Sequence, residues 1–102
     1  MVSFNERCYA LLSKVPRGNV VTYKALANAM RTKAYRAVGN AMNKNPYAPK
    51  VPCHRVVGSS GALVGFASGL NKKKKILEDE GIKIDNGKID LERYGFEFKQ
   101  AF

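Results

Sequence analysis

Three prolines, Pro46, Pro49 and Pro52, punctuate the middle of the chain and rule out any helix through that stretch. Each ring removes a backbone donor and fixes φ, and each pushes the residue before it toward extended backbone. The stiff segment delivers the chain to Val51-Pro52-Cys53-His54-Arg55-Val56-Val57, where the only histidine sits beside one of the two cysteines. A rigid approach followed by a thiol and an imidazole suits a nucleophile site, because a thiol attacks as thiolate and needs a base or a positive field nearby. A small buried cysteine with a chance histidine neighbour is the competing reading, and the pair alone does not decide between them.

Before this segment the pattern is helical. Ser3 and Glu6 have capping-box spacing, and Phe4, Cys8, Leu11, Leu12 and Val15 then recur on one helix face until Pro16-Arg17-Gly18-Asn19 turns the chain. Cys8 thus faces the core. Asn19-Val20-Val21 is short and β-branched, and Thr22 can cap a helix over 23–30. Thr32 can cap another, over 33–44, with Ala34, Ala37, Val38, Ala41 and Met42 inward. Its other face carries Arg36, Gly39, Asn40 and Asn43 at i, i+3, i+4 and i+7. Two short helices with a tight connection suggest a helix-turn-helix. Gly39 weakens a helix relative to Ala, so close approach of another backbone should offset it. Nucleic acid against that face, or a solvated face with a helix–helix contact, both satisfy the local pattern.

After the cysteine, Val56-Val57 leads into a turn at Gly58-Ser59-Ser60-Gly61 and a glycine-spaced, uncharged loop to Gly69. No Gly-Lys-Ser/Thr follows, so this is not a phosphate loop. Asn71 can cap a helix over 72–80 with Gly81 just past its end, and Lys72-Lys73-Lys74-Lys75 reads mostly as a solvated first turn. Ile82-Lys83-Ile84-Asp85 and Lys88-Ile89-Asp90-Leu91 alternate around Asn86-Gly87, a strong hairpin signal. Tyr94, Phe96, Phe98 and Phe102 are expected to pack the tail onto the body.

At 102 residues the chain is expected to be one domain, 1–102, mostly α with small β elements: a winged helix-turn-helix-like fold with a C-terminal β-hairpin. No apolar run is long enough to span a bilayer and no signal-peptide pattern opens the chain, so a cytoplasmic location, nucleoid-associated in a prokaryote, is expected, with no membrane partner. Two cysteines without a spaced framework do not suggest a secreted scaffold, although a Cys8–Cys53 disulfide stays open. Two cysteines and one histidine lack metal-ligand spacing. The net charge is +10, and residues 1–70 hold ten Lys or Arg against one acid, while residues 71–102 hold eight against seven. That asymmetry suits a polyanion binder, although a merely basic surface produces it too.

The stretches Val20-Val21-Thr22-Tyr23, Arg36-Ala37-Val38-Gly39-Asn40-Ala41-Met42, Asn45-Pro46, Pro52-Cys53-His54-Arg55-Val56-Val57, Gly61 through Leu70, and Leu77-Glu78-Asp79-Glu80-Gly81 stand in an order and spacing that resembles the C-terminal, active-site domain of the 6-O-alkylguanine-DNA alkyltransferases. The likeness runs over about 4–81, leaving 82–102 as hairpin and tail. It implies a repair protein that reacts once on double-stranded DNA containing alkylated guanine, entered from the minor groove, as a monomer and without cofactor or metal. Cys53 would accept the alkyl group, His54 would act as base through a water, Glu80 would orient His54, Asn45 would brace the site, and Tyr23 would donate toward the departing guanine. Arg36 would fill the stack vacated by the flipped nucleotide, with Thr22, Ala37, Gly39, Asn40 and Arg55 also at the DNA. Met42, Val56, Phe66, Ala67 and Lys73 would line the pocket, and backbone carbonyls of Cys53 and Val56 would read the guanine amine. Larger members of the family carry a separate N-terminal domain, which is not expected here because only Met1 to Phe4 precede the likeness. Phe66-Ala67-Ser68-Gly69 stands where many members have Tyr-Ser-Gly-Gly, and Val64 replaces a common glycine. The resemblance also admits a non-catalytic relative that binds alkylated DNA and recruits other factors; such proteins lack the reactive cysteine. A winged helix-turn-helix regulator without chemistry is a further alternative.

Overall fold

The computed structural model describes residues 3–47, 50–63 and 69–98. The expectations for Val64, Phe66, Ala67 and Phe102 lie outside the described residues.

Helix α1 spans Phe4–Leu12, and the Ser3 hydroxyl accepts from the Glu6 amide at 3.1 Å, as the capping box requires. Cys8, Tyr9 and Leu12 are buried, so Cys8 does face the core. The chain turns at Pro16 and enters a two-residue strand β1, Val21–Thr22, which passes directly into α2, Tyr23–Ala29. The Thr22 hydroxyl caps α2 by accepting from the Ala25 amide at 2.9 Å.

Helix α3 is Tyr35–Asn43 and begins later than the Thr32 spacing suggests. Arg31 adopts φ of +57°, which turns the chain after α2, and Thr32 spends its hydroxyl on the Ala34 amide two residues on rather than on a helix N-terminus. Ala34 therefore falls outside the helix and is exposed, whereas Val38, Ala41 and Met42 are buried as expected.

Cys53–Arg55 forms a single 3₁₀ turn, and Val56–Val57, strand β2, pairs in parallel with β1 in the register Val21 with Val56 and Thr22 with Val57. Parallel strands need a long crossover, supplied here by α2, α3 and the proline-bearing segment. Because successive side chains on a strand point to opposite faces, this pair separates two apolar clusters. Val21 and Val56 join Leu12, Leu26, Val38 and Ala41 in the helical core; Val20 and Val57 join Leu77, Ile82 and Ile89 beneath the hairpin.

Helix α4, Leu70–Asp79, starts from Gly69 at φ +97° with no side-chain cap; Asn71 lies inside its first turn instead of capping it. Strands β3, Ile84–Asp85, and β4, Lys88–Ile89, pair antiparallel around Asn86 (φ +51°) and Gly87 (φ +73°), the backbone a tight two-residue hairpin needs. The structure adds a short helix not expected from the sequence, α5, Leu91–Tyr94, capped by the Asp90 carboxylate on the Glu92 amide. The tail then returns: the Val20 amide donates to Tyr94 O and the Phe96 amide to Val20 O. Phe96 and Phe98 meet edge to face and pack on the helical core. No helix among the described residues is long and apolar enough to cross a membrane.

Candidate functional site

The proline-bearing segment is closed by one side chain. Asn45 Nδ2 donates to the Val51 carbonyl at 2.7 Å while its Oδ1 accepts from the Tyr47 amide at 2.9 Å, so a single amide ties both ends of the loop. The Cys53 amide donates to Val51 O and the Arg55 amide to Pro52 O, which sets the 3₁₀ turn. The result leaves Cys53 half-buried and its neighbour His54 buried. Both cysteines are free thiols, which closes the disulfide alternative. Burial pushes the Cys8 thiol up to about 11, so Cys8 stays protonated in the core and Cys53 is the cysteine open to chemistry.

His54 Nε2 lies 3.0 Å from Glu80 Oε2 at the C-terminal end of α4. Burial pushes the Glu80 carboxyl up, but the hydrogen bonds from Arg55 and His54 together outweigh it and hold the group below the ordinary carboxylate range. An ionised carboxylate only accepts, so the His54 proton sits on Nε2 and Nδ1 keeps the lone pair. Burial lowers the His54 pKa; Glu80 opposes that shift, and the Arg55 and Lys73 cations add to it. The imidazole is therefore neutral and oriented at pH 7, with the Nδ1 lone pair as its proton acceptor.

Arg55, expected at the DNA, is turned inward. Its Nε and Nη2 hold Glu80 Oε1 and Oε2 at 2.9 and 2.7 Å, a two-pronged grip, and Nη1 donates to the Val15 carbonyl at 2.9 Å. The turn after α1 grips the same helix end again: Arg17 Nη2 donates to Asp79 O at 2.8 Å. Neither link is legible in the sequence, since Arg55 and Val15 are 40 positions apart.

Lys73 is fully buried, unlike the rest of its lysine run, and its ammonium donates to the Val56 carbonyl. Burial pulls it down to about 8, with the Cys53 thiolate acting in the opposite direction. A signal for this exists in the sequence: Lys73, Leu77 and Glu80 stand at i, i+4 and i+7, so one helix face carries all three inward. The two carbonyls expected to read a guanine amine are already engaged, Val56 O by Lys73 and Cys53 O by the Val56 amide. Tyr23 and Cys53 both pack against the helical core; burial raises the Tyr23 hydroxyl pKa and the Cys53 charge raises it further. Cys53, His54, Glu80, Tyr23, Lys73, Val56 and the Asn45 brace are thus brought to one place, with Met42 buried in the adjoining core.

Arg36 and Asn40 are exposed on α3, with Ala37 and Gly39 half-buried. A Cβ placed on Gly39 meets nothing within 4 Å, so no helix–helix contact within the described residues explains that glycine. Thr22 serves as the α2 cap and is half-buried.

Residues 3–82 match the family described as 6-O-methylguanine DNA methyltransferase, DNA binding domain. A bifunctional methyltransferase/endonuclease of Picrophilus torridus is 43% identical over 89 residues, 86% of this chain and 30% of that protein. The methylated-DNA–protein-cysteine methyltransferase of Thermococcus kodakarensis is 50% identical over 81 residues, 78% of this chain and 45% of that protein. The chain thus spans half or less of the length of these curated relatives. Among solved structures, Mycobacterium tuberculosis OGT in complex with DNA superposes with a TM-score of 0.74 at 41% identity, covering 78% of this chain and 50% of that one. Schizosaccharomyces pombe Atl1, in complex with damaged DNA containing O6-carboxymethylguanine, superposes with a TM-score of 0.79 at 30% identity and covers 95% of each chain.

Proposed function

The chain belongs to the 6-O-methylguanine DNA methyltransferase family, and on that premise we propose that it is the active-site domain of a repair protein that transfers an alkyl group from O6 of guanine in double-stranded DNA to Cys53, once and irreversibly. The observation that carries this reading is the half-exposed Cys53 followed by a buried, neutral His54 locked on the Glu80 carboxylate. That is the order nucleophile, base, orienter.

An alkyl carbon on guanine O6 is out of reach inside a duplex, so the nucleotide must be extruded, at a cost of a few kcal/mol that a damaged pair lowers. The α3 face carrying Arg36, Ala37, Gly39 and Asn40 lies in the minor groove, with Arg36 filling the vacated stack and Thr22 beside the backbone. His54 Nδ1 takes the Cys53 proton through a water while Glu80 steadies the imidazolium. The thiolate attacks the alkyl carbon, the C–O6 bond breaks, and Tyr23 donates toward the leaving guanine. The thioether has no second nucleophile to release it, so the protein is consumed. Arg55 acts from behind, holding Glu80, rather than at the DNA. Met42, Val56 and Lys73 supply the pocket from the described residues. Non-specific phosphate contacts from the basic first two-thirds of the chain bring it to DNA in any sequence context, as a monomer in the cytoplasm or nucleoid.

A second reading is a lesion-binding module without transfer, favoured by the near-complete mutual coverage with Atl1. The presence of Cys53 in the Pro-Cys-His-Arg turn weighs against it. Intact mass after incubation with a duplex carrying one 6-O-methylguanine separates the two. One added methyl, lost in Cys53→Ser, is the expected result; tight lesion binding with no adduct would replace this reading with the sensor.

A further inference from the structure

A cavity of about 340 Å³ is lined, among the described residues, by Tyr23, Lys24, Tyr35 and Ser59. Tyr35 is the first residue of α3, directly before Arg36, and is one of three large apolar side chains left exposed among the described residues, at 45%. Its ring thus lines the cavity with nearly half its surface open to solvent. Tyr23 forms one wall of the cavity and, like Cys53, packs against the helical core, so the cavity shares a wall with the residues gathered around the nucleophile. Two phenol rings, an ammonium and a hydroxyl around a space of this size match one nucleotide: π faces for a base and a cation for its phosphate.

We infer that Tyr35 is a specificity-determining residue, the outer wall of this cavity, whose ring stacks on the nucleotide extruded from the duplex while Lys24 meets its phosphate. The inference rests on the function proposed above for its ligand, but not on transfer taking place. Tyr35 acts before any chemistry. It captures the nucleotide once it has left the helix, so it favours damaged over intact duplex instead of strengthening DNA binding in general.

The test uses equilibrium binding in a Cys53→Ser background, which removes transfer from the measurement. Kd is read for a duplex carrying one 6-O-methylguanine and for the same duplex undamaged, with Tyr35→Ala and Tyr35→Phe. Loss of a stacked ring should raise Kd for the damaged duplex by about tenfold or more in Tyr35→Ala. The undamaged duplex and Tyr35→Phe should stay near the parent values. Ala is the better helix former at this exposed position, so a folding defect does not mimic the result. Unchanged lesion affinity in Tyr35→Ala, equal losses on both duplexes, or a Tyr35→Phe variant as weak as Tyr35→Ala each overturn the inference. The mass measurement is separate. No methyl on Cys53 together with a Tyr35-dependent lesion preference sinks the transfer reading and leaves this one standing; a methyl adduct with no such preference does the reverse.

Discussion

Gly39→Ala should move stability and DNA affinity in opposite directions. Gly39 is inside α3, where glycine costs about 0.5–1 kcal/mol relative to alanine. A Cβ there meets no atom within 4 Å, so the substitution carries no steric penalty from the described residues. The variant should gain about 1 kcal/mol, raising Tm by about 4–8 °C for a chain of this size. On the proposed interface, the same methyl group intrudes where helix backbone and minor groove meet. Overpacking of a close contact costs about 1–3 kcal/mol, which is about 5- to 150-fold in Kd. Thermal unfolding and duplex titration at fixed salt read the two effects on one sample. A variant that is more stable and binds DNA like the parent refutes the placement of this face at the groove. A less stable variant refutes the steric argument itself.

Glu80→Gln sets an amide N–H against one of the donors of His54 or Arg55 whichever way the amide turns; single-turnover transfer should slow by about 10²–10⁴-fold with DNA affinity retained, and equal loss of both would remove Glu80 from the relay. Arg36→Ala should weaken capture of a lesion in duplex by about tenfold or more while sparing reaction with a free alkylguanine, measured by competing the two substrates. Stability should fall with acid in two stages, read as urea midpoints across pH. The folded His54 pKa lies below 6.5, so the unfolded chain takes up its proton first as pH drops through that value; the folded Glu80 pKa lies below 4.5, so a second loss begins there, and Glu80→Gln should abolish the second stage. Gly61→Ala forces a Cβ to 2.2 Å from the Ile89 carbonyl at φ +87°; it should cost about 2 kcal/mol or more and lower Tm by about 10 °C, and an unchanged melting curve would contradict the hairpin packing.

The parts of this molecule that could be read without coordinates are those whose partners are close in sequence. Ser3 on Glu6, Thr22 on Ala25 and the Asn86-Gly87 turn each close a bond or a backbone angle within a few residues, and Cys8 shares its helix face with Leu12. Cys53 and His54 stand out as a candidate pair from their neighbours in sequence, Asn45 and Glu80 only through the family resemblance, and the structure brings them together around the proline-bearing turn. Where a local signal had two uses the reading slipped: Thr32 and Asn71 have capping side chains, but a left-handed Arg31 and an N-cap at Gly69 move the helix starts elsewhere.

Chain order and side-chain chemistry determined the capped helices, the hairpin and the choice of thiol. Only the tertiary structure decided that β1 and β2 run parallel, that the Lys73 ammonium donates to the Val56 carbonyl, and that Arg55 turns from solvent to grip Glu80 and the Val15 carbonyl. Such contacts join residues 17 to 40 positions apart. Their worth comes from desolvation and the geometry of groups that meet only after the core has closed, and no local propensity encodes that.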